Sequence, residues 1–372
     1  MYSEPHYRYF APVRLRVFVG AIFVALFGGV AHADKVDDLV RTEMKRHQIP
    51  GLSLAVLKNG KILKVKGYGF ANVEWSVPAT PETVYQLASV TKCFTATAVM
   101  QLVEDGKLTL KDRISAHLPD LPKAWSEVTV WHLLTHSSGI KSYTQLAAIS
   151  DNPTKHFSAA EMIALVANLP LEFRPGERYD YSNTGYYLLG MLIENRSGQS
   201  YGAFLDKRIF KPAGMADTRV NDFSEIILRR ATGYVLRDGA IHNGLFVNPS
   251  QPFAAGALVT SASDLARWDA ALYTDKIVKQ STLQQMWTPA ELGPLSNYGL
   301  GWGTQERQGR RYVQHNGGII GFSTHFRRGL DDGLTIIVLA NLSGRGIYAE
   351  EIAEALVPLL PGWQMTNGIG AF

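Results

Sequence analysis

The chain has 372 residues, of which 46% are hydrophobic and 19% charged, with Gly 34 and Pro 17. This balance excludes a disordered, collagen-like or disulfide-framework protein, and the length allows two lobes of roughly 150 residues or one large intertwined fold. A formal charge of +4 with no dense Lys/Arg block argues against nucleic acid as a partner, and the single Cys93 leaves no internal disulfide and no cysteine zinc site.

The first segment has the order of an export signal. Arg8, Arg14 and Arg16 precede an uncharged run from Val17 to Val30, and Ala31-His32-Ala33 then puts small residues at both ends of an A-x-A site. This predicts a signal peptide over residues 1–33, cleaved after Ala33. The apolar run is shorter than the roughly 20 residues of a membrane helix, so no stable span is expected after cleavage. No cysteine adjoins the cleavage site, which argues against a lipid-attached form. The expected location is periplasmic or secreted, with the fold held by its core alone.

Asp34 to His47 reads as a helix with Val36, Leu39, Val40 and Met44 along one side. Leu52 to Leu57 and Ile62 to Val65 read as strands, and Asn59-Gly60 between them is a strong hairpin signal. Ser89 to Asp105 turns helical, with Gly106 placed as its C-terminal cap. From there to about residue 220 helices and loops dominate. Ser261 followed by Asp264 predicts a capping box for a helix through Ala271. Arg311–His315, Gly321–Arg327 and Leu334–Leu339 read as strands separated by Gly-rich or Asp-Asp-Gly turns, and Ile347–Leu360 closes as a helix. The expected fold class is α+β: the strands of both ends join in one antiparallel sheet flanked by helices, with an inserted all-α lobe. The sheet lobe spans 34–85 and 225–372, the mainly helical lobe 86–224, and the cleft between them is the expected site.

Three short motifs could carry chemistry. Ser89-Val90-Thr91-Lys92 places a hydroxyl and an amine on one helix face. The helix start favours a developing anion, and a desolvated lysine can act as the base that a serine nucleophile needs. Such a pair also arises by chance, and Ser89 could simply cap the helix. Tyr181-Ser182-Asn183 offers a phenol for proton relay and an amide for a substrate carbonyl, or only a polar loop. His315-Asn316-Gly317-Gly318 follows a strand, where glycine lets backbone approach a ligand and complete an oxyanion hole, or merely turns a hairpin.

Together and in this order the three motifs resemble those of the penicillin-recognising serine enzymes. Leu133-Leu134-Thr135-His136-Ser137-Ser138-Gly139-Ile140 looks like the LLTHTSGL segment of that superfamily. Pro175-Gly176 leading to Tyr181-Ser182-Asn183-Thr184-Gly185-Tyr186, and Ala255-Gly256-Ala257-Leu258 leading to Ser263-Asp264-Leu265-Ala266, extend the likeness over the mature chain. The resemblance is strongest to the class C β-lactamase-like branch, which also holds DD-carboxypeptidases, D-amino-acid peptidases and esterases. It implies a β-lactamase/transpeptidase-like fold and a serine hydrolase working through an acyl-enzyme, with no cofactor and no metal. By similarity Ser89 is the nucleophile, Lys92 its base, and Tyr181 the partner that passes protons. Asn183 matches the residue that bonds the substrate's amide, and Gly318 the N–H that joins that of Ser89 in the oxyanion hole. His315 and Gly317 complete the substrate-facing motif.

That motif departs from the Lys-Thr-Gly of β-lactamases. A histidine near its reference pKa of 6.5 is largely neutral at pH 7. The expectation is that a carboxylate-bearing substrate weakens between pH 6 and 8 more than a neutral ester does. A D-alanyl-type peptide or ester, small or peptidoglycan-like, is favoured over rapid β-lactam hydrolysis. A class C-like β-lactamase and a penicillin-binding sensor without turnover are the alternatives, and the oligomeric state is open. His132 and His136 at i, i+4 lack the Glu of a metalloprotease motif, and Cys93 reads as a buried core residue. Gly51-Leu52-Ser53-Leu54-Ala55 is no nucleophile elbow, so an α/β-hydrolase is not expected.

Overall fold

The computed structural model describes residues 30–293, 297–344 and 348–360. The predicted signal segment lies outside the described residues except for Val30–Ala33, the start of helix α1 (Val30–His47). Val36, Val40 and Met44 of α1 are buried, and Leu39 packs at the margin of the same cluster. Strands β1 (Gly51–Lys58) and β2 (Lys61–Asn72) pair antiparallel, with Lys58 opposite Lys61. Asn59 and Gly60 between them have φ of 51° and 72°, the left-handed pair a two-residue hairpin requires. The short strand β3 (Val77–Pro78) edges β2. Helices α2 (Thr91–Glu104), α3 (Asn183–Ser197) and α4 (Ala262–Ala271) follow among shorter turns. The chain then returns as β4 (Gly303–Arg307), β5 (Arg310–Ile319), β6 (Phe322–Gly329) and β7 (Leu334–Ala340), before helix α5 (Tyr348–Leu356).

These strands form one seven-stranded sheet, and β1 pairs with β7 at its centre, Leu52 opposite Ala340 and Lys58 opposite Leu334. The two ends of the chain therefore close a single antiparallel sheet, and the fold is an α+β sandwich as the sequence implies. Strand β7 reads Leu-Thr-Ile-Ile-Val-Leu-Ala without alternation because both of its faces are covered. Leu334, Ile336, Val338 and Ala340 pack with α1 and α5, whereas Ile337 and Leu339 pack with the cluster that holds α2, α3 and α4. Each buried Leu, Ile or Val among them contributes about 1.5–3 kcal/mol of transfer free energy.

Several local expectations change. β5 does not end at His315 but runs to Ile319, so Gly317 and Gly318 are strand residues and Gly321, at φ 90°, takes the turn. The His315 motif thus lies along a strand edge rather than on a hairpin tip. The Ser261 hydroxyl does accept the Asp264 N–H at 3.2 Å. The reciprocal half of the capping box is missing, because the Asp264 carboxylate accepts from Asp217 N–H and the Thr218 hydroxyl and pairs with Arg267. His136 lies beyond the short helix Val130–Leu134, so the His132/His136 spacing is not helical.

A buried ion pair ties α4 to the sheet. Asp269 and Arg328 are almost sealed from water and form a salt bridge, and the Thr335 hydroxyl donates to the same carboxylate at 2.8 Å. The Arg328 guanidinium also lies 3.8 Å over the Tyr273 ring. Removing one member leaves the other charge buried without compensation. Asp269→Ala is expected to lower the unfolding free energy in urea by about 3–5 kcal/mol. Adding Arg328→Met to it should restore part of that loss, and simple additivity of the two single costs would contradict the coupling.

Candidate active site

Ser89 sits on a single 3-10 turn, Ala88–Val90, that runs directly into α2. Lys92, one turn on, is completely buried. Its Nζ is 3.1 Å from Ser89 Oγ, 2.8 Å from Asn183 Oδ1 and 2.7 Å from the Ala255 carbonyl oxygen. Burial drives the Lys92 amine well below the ordinary lysine range, because desolvation penalises the charged form. A neutral amine donates two N–H bonds and accepts one. Asn183 and Ala255 can take only donors, so the remaining lone pair points to the Ser89 hydroxyl. This is the arrangement of a base beside its nucleophile.

Tyr181 completes the cluster from the chain just before α3. Its phenol is hydrogen-bonded with Ser89, and its ring lies beneath the Lys92 Nζ at 4.8 Å. Burial raises the phenol, and the bond with Ser89 only partly counters this, so Tyr181 stays protonated. Asn183 opens α3 and turns its amide both ways, Oδ1 to Lys92 and Nδ2 to Thr144 Oγ1 at 3.2 Å. The side chain expected to greet substrate is therefore also what holds the lysine.

The third motif packs against the Ser89 turn. β4 pairs with β5 only as far as Gln314, and beyond it the freed edge of β5 faces residues 88–90. Gly317 is where the two backbones meet. A Cβ there would lie 2.1 Å from Thr324 Oγ1 and 2.4 Å from the Leu87 carbonyl oxygen. Thr324 Oγ1 itself donates to that carbonyl at 2.8 Å. Ala88, just before Ser89, is held at φ 49°, a strained region for any residue with a Cβ, costing about 1–2 kcal/mol. Gly318 is exposed, with open space where a side chain would be. Ser89, Asn183, Ala255 and Gly318 share one cleft of about 130 Å³.

His315 behaves differently from the sequence expectation. Its Nε2 faces the Tyr298 hydroxyl at 2.9 Å and its Nδ1 the Asn316 carbonyl at 2.7 Å, and its side chain is buried. Burial, reinforced by the nearby Lys92, pushes it down to about 3. That shift favours a neutral imidazole from pH 6 to 8 and so runs against the expected titration of carboxylate binding. Asn316 points to the opposite face of the sheet, where its amide donates to Glu350 at 2.7 Å.

Three contacts of the site are not legible in the sequence. The Ala255 carbonyl holds Lys92, although its Ala-Gly-Ala-Leu segment did stand out. Tyr298 reaches His315 from a stretch with no local signal. His136 is buried, accepts the Ser182 N–H on Nδ1 at 3.1 Å and stacks on Tyr181 with ring centroids 4.2 Å apart. His132 is engaged elsewhere, its Nδ1 accepting the Thr129 N–H. Among the described residues no group of three or more His, Cys, Asp or Glu could hold a metal ion. Cys93 is buried with its thiol against the Gly301 carbonyl at 3.3 Å.

A strand edge, a serine on a helix start and a buried lysine beneath it are thus brought together. The family model Beta-lactamase matches residues 36–357, and the chain belongs to the β-lactamase family of serine hydrolases. It is 33% identical over 344 residues to penicillin-binding protein 4* of Bacillus subtilis, covering 87% of this chain and 75% of that protein. Against protein Flp of Staphylococcus aureus the identity is 30%, over 87% of this chain and 65% of that protein, a little under two thirds of its length. The structure is similar to an octameric penicillin-binding protein homologue from Pyrococcus abyssi, with TM-score 0.78, 31% identity, and 88% and 77% of the two chains covered. It is also similar to a D-amino acid amidase from Ochrobactrum anthropi SV3, with TM-score 0.76, 29% identity, and 87% and 96% covered.

The two glycines separate packing from access. Gly317→Ala is expected to displace the Ser89 turn and lower kcat/KM at least about 100-fold, the scale of losing one oxyanion donor. Gly318→Ala should leave the melting temperature unchanged. Equal activity in wild type and Gly317→Ala, measured on an activated ester, would contradict the packing argument.

Proposed function

We propose that the protein is an exported acyl-enzyme hydrolase that opens a D-alanyl-type amide or ester faster than it turns over a β-lactam. The observation that carries this reading is the Lys92 amine, buried on three oxygens with Ser89 as the only hydroxyl among them. Neutral Lys92 takes the Ser89 proton as Oγ attacks the substrate carbonyl carbon. The oxyanion settles on the N–H groups of Ser89 and Gly318. The proton then passes through Tyr181 to the leaving nitrogen or oxygen as the bond to it breaks. Water enters, gives its proton along the same route, and the acyl–Oγ ester opens to a free acid with Ser89 restored. Tyr181 acts as a protonated relay, since burial opposes a phenolate.

Substrate preference rests on the third motif. His315 is neutral and turned to Tyr298, so no fixed cation on this motif holds a substrate carboxylate as a lysine would. The similarity to a D-amino acid amidase and to penicillin-binding proteins supports a D-configured amide or a penicillin as ligand. The site is read as a cleft between a sheet lobe (34–85 and 225–372) and a helical lobe (86–224). Among the described residues no helix is long and apolar enough to cross a membrane. The Arg-rich start and the Ala31-His32-Ala33 site support export.

Intact mass of the protein mixed with benzylpenicillin, beside hydrolysis of a D-alanyl amide and ester, tests this. The expected result is a long-lived adduct on wild type, none on Ser89→Ala, and turnover of the D-alanyl compounds. Rapid penicillin turnover would make it a class C-like β-lactamase, and an adduct without turnover of any substrate would make it a sensor. An adduct that survives Ser89→Ala would remove Ser89 as nucleophile.

The pH profile follows from Lys92. A base must be unprotonated, so kcat/KM should be low below the lowered Lys92 value, rise through it and then level off. Carboxylate and neutral substrates should follow the same curve from pH 6 to 8, because His315 does not titrate there. A carboxylate-specific fall over that window would restore a charge-bearing role for His315.

A further inference from the structure

A second cavity, of about 370 Å³, adjoins the catalytic cleft where β5 turns into β6. Gly318 and Ile319 line the Ser89 cleft, whereas Ile320 and Phe322 line the second cavity. The loop 244–247 straddles both, with Leu245 and Phe246 on the second cavity and Val247 on the first. The floor is bare backbone. Gly244 N–H donates to the Gly233 carbonyl at 2.8 Å, and a Cβ on Gly233 would meet the Phe322 ring at 2.6 Å.

The rim is apolar and open to water. Trp75 is 83% exposed, Leu245 60%, Phe246 59% and Phe223 40%. The Phe223 and Phe246 rings meet edge to face at 5.3 Å. Large apolar side chains left exposed around one concavity mark a ligand surface. Half-buried Arg230 stands in the wall, and its guanidinium bonds neutral oxygens, the Asp222 carbonyl at 3.1 Å and Asn221 Oδ1 at 3.4 Å. The two carboxylates nearby are bonded elsewhere, Glu74 accepting the Tyr234 hydroxyl at 2.6 Å and Asp222 the Ser224 N–H and hydroxyl at 2.7 and 2.6 Å, and neither forms an ion pair with Arg230, the cation of this wall that an incoming anion would meet.

Polarity along the β5 edge decides which half of a substrate reaches this cavity. The Tyr181 ring is 6.3 Å from the His315 ring. Ile320 stands five residues further along the chain, roughly 17 Å at about 3.3 Å per strand residue. The leaving group must lie near the proton it receives, at the His315 end. The acyl half therefore runs the other way, past Gly318. This step rests on the roles proposed above for Ser89 and Tyr181.

We infer that the cavity beside Ile320 is an acyl-side subsite for a chain that reaches about two residues past the scissile carbonyl and ends in an aryl or branched apolar group bearing a carboxylate for Arg230. Acyl chains that stop short of the rim leave this surface unused, so the protein selects long acyl donors.

Four p-nitrophenyl esters with one leaving group test it: acetyl, hexanoyl, 4-phenylbutanoyl and 4-(4-carboxyphenyl)butanoyl. Wild-type kcat/KM should rise at least about 10-fold from acetyl to phenylbutanoyl, the scale of filling an apolar pocket, and rise again for the carboxylate. Phe246→Ala, an exposed loop change, should remove the first gain with acetyl turnover unchanged. Arg230→Met should remove only the carboxylate gain. Ester turnover that depends on Ser89 but is flat across the series, or gains that survive both variants, would overturn the subsite. Turnover unaffected by Ser89→Ala would instead overturn the reading of the catalytic site.

Discussion

The buried amine of Lys92 is the interaction on which the site depends. Its oxygen partners come from the turn before α2, the start of α3 and the segment ahead of α4, which lie far apart in the chain. An ammonium placed there without oxygens would be strongly unfavourable. With them, the side chain is held while its proton is loosened by lack of water. The same burial acts on Tyr181 in the other direction and keeps its proton on. One dry environment thus pushes a lysine towards a base and a tyrosine towards an acid.

The sheet supplies the second constraint. β1 and β7 are buried on both faces and close the two ends of the chain into one rigid layer. β5 hangs from that layer, and its edge is free only past Gln314 because β4 stops there. That free edge meets the Ser89 turn through Gly317, with Thr324 donating to Leu87 behind it. The strained φ of Ala88 belongs to this contact: the turn is pressed into shape by its neighbour rather than by its own preference. The helices set the lysine and tyrosine, and the sheet sets where a carbonyl can rest.

Around this core, polar groups are recruited according to what they face. Asn183 was read as a substrate ligand, and its amide bonds Lys92 and Thr144. His315 was read as a variable charge, and it is a neutral group joined to Tyr298. His136, a weak metal candidate by spacing, is instead a buried acceptor for Ser182 stacked on Tyr181. For the two histidines side-chain type is a fair guide to hydrogen-bonding capacity and a poor guide to the partner.

Much of the fold was legible because its signals are local. Asn59-Gly60 demands a tight hairpin, the Val36/Val40/Met44 spacing demands one buried helix face, and apolar runs such as Leu334–Leu339 demand a covered strand. The order of Ser89/Lys92, Tyr181/Asn183 and the His315 motif pointed to the family through resemblance. What local chemistry could not reveal was contact between distant segments. Nothing near His315 announces Tyr298, and nothing in Gly317-Gly318 tells a strand edge from a turn, since glycine suits both. The sequence by itself determined the elements and the sheet that joins the two ends, because propensity and periodicity act over a few residues, and its three motifs named the candidate reactive side chains. Only the tertiary structure decided the direction in which burial shifts Lys92, Tyr181 and His315, and the cavity beside Ile320. Burial and distance are properties of the packed whole, and they set charge.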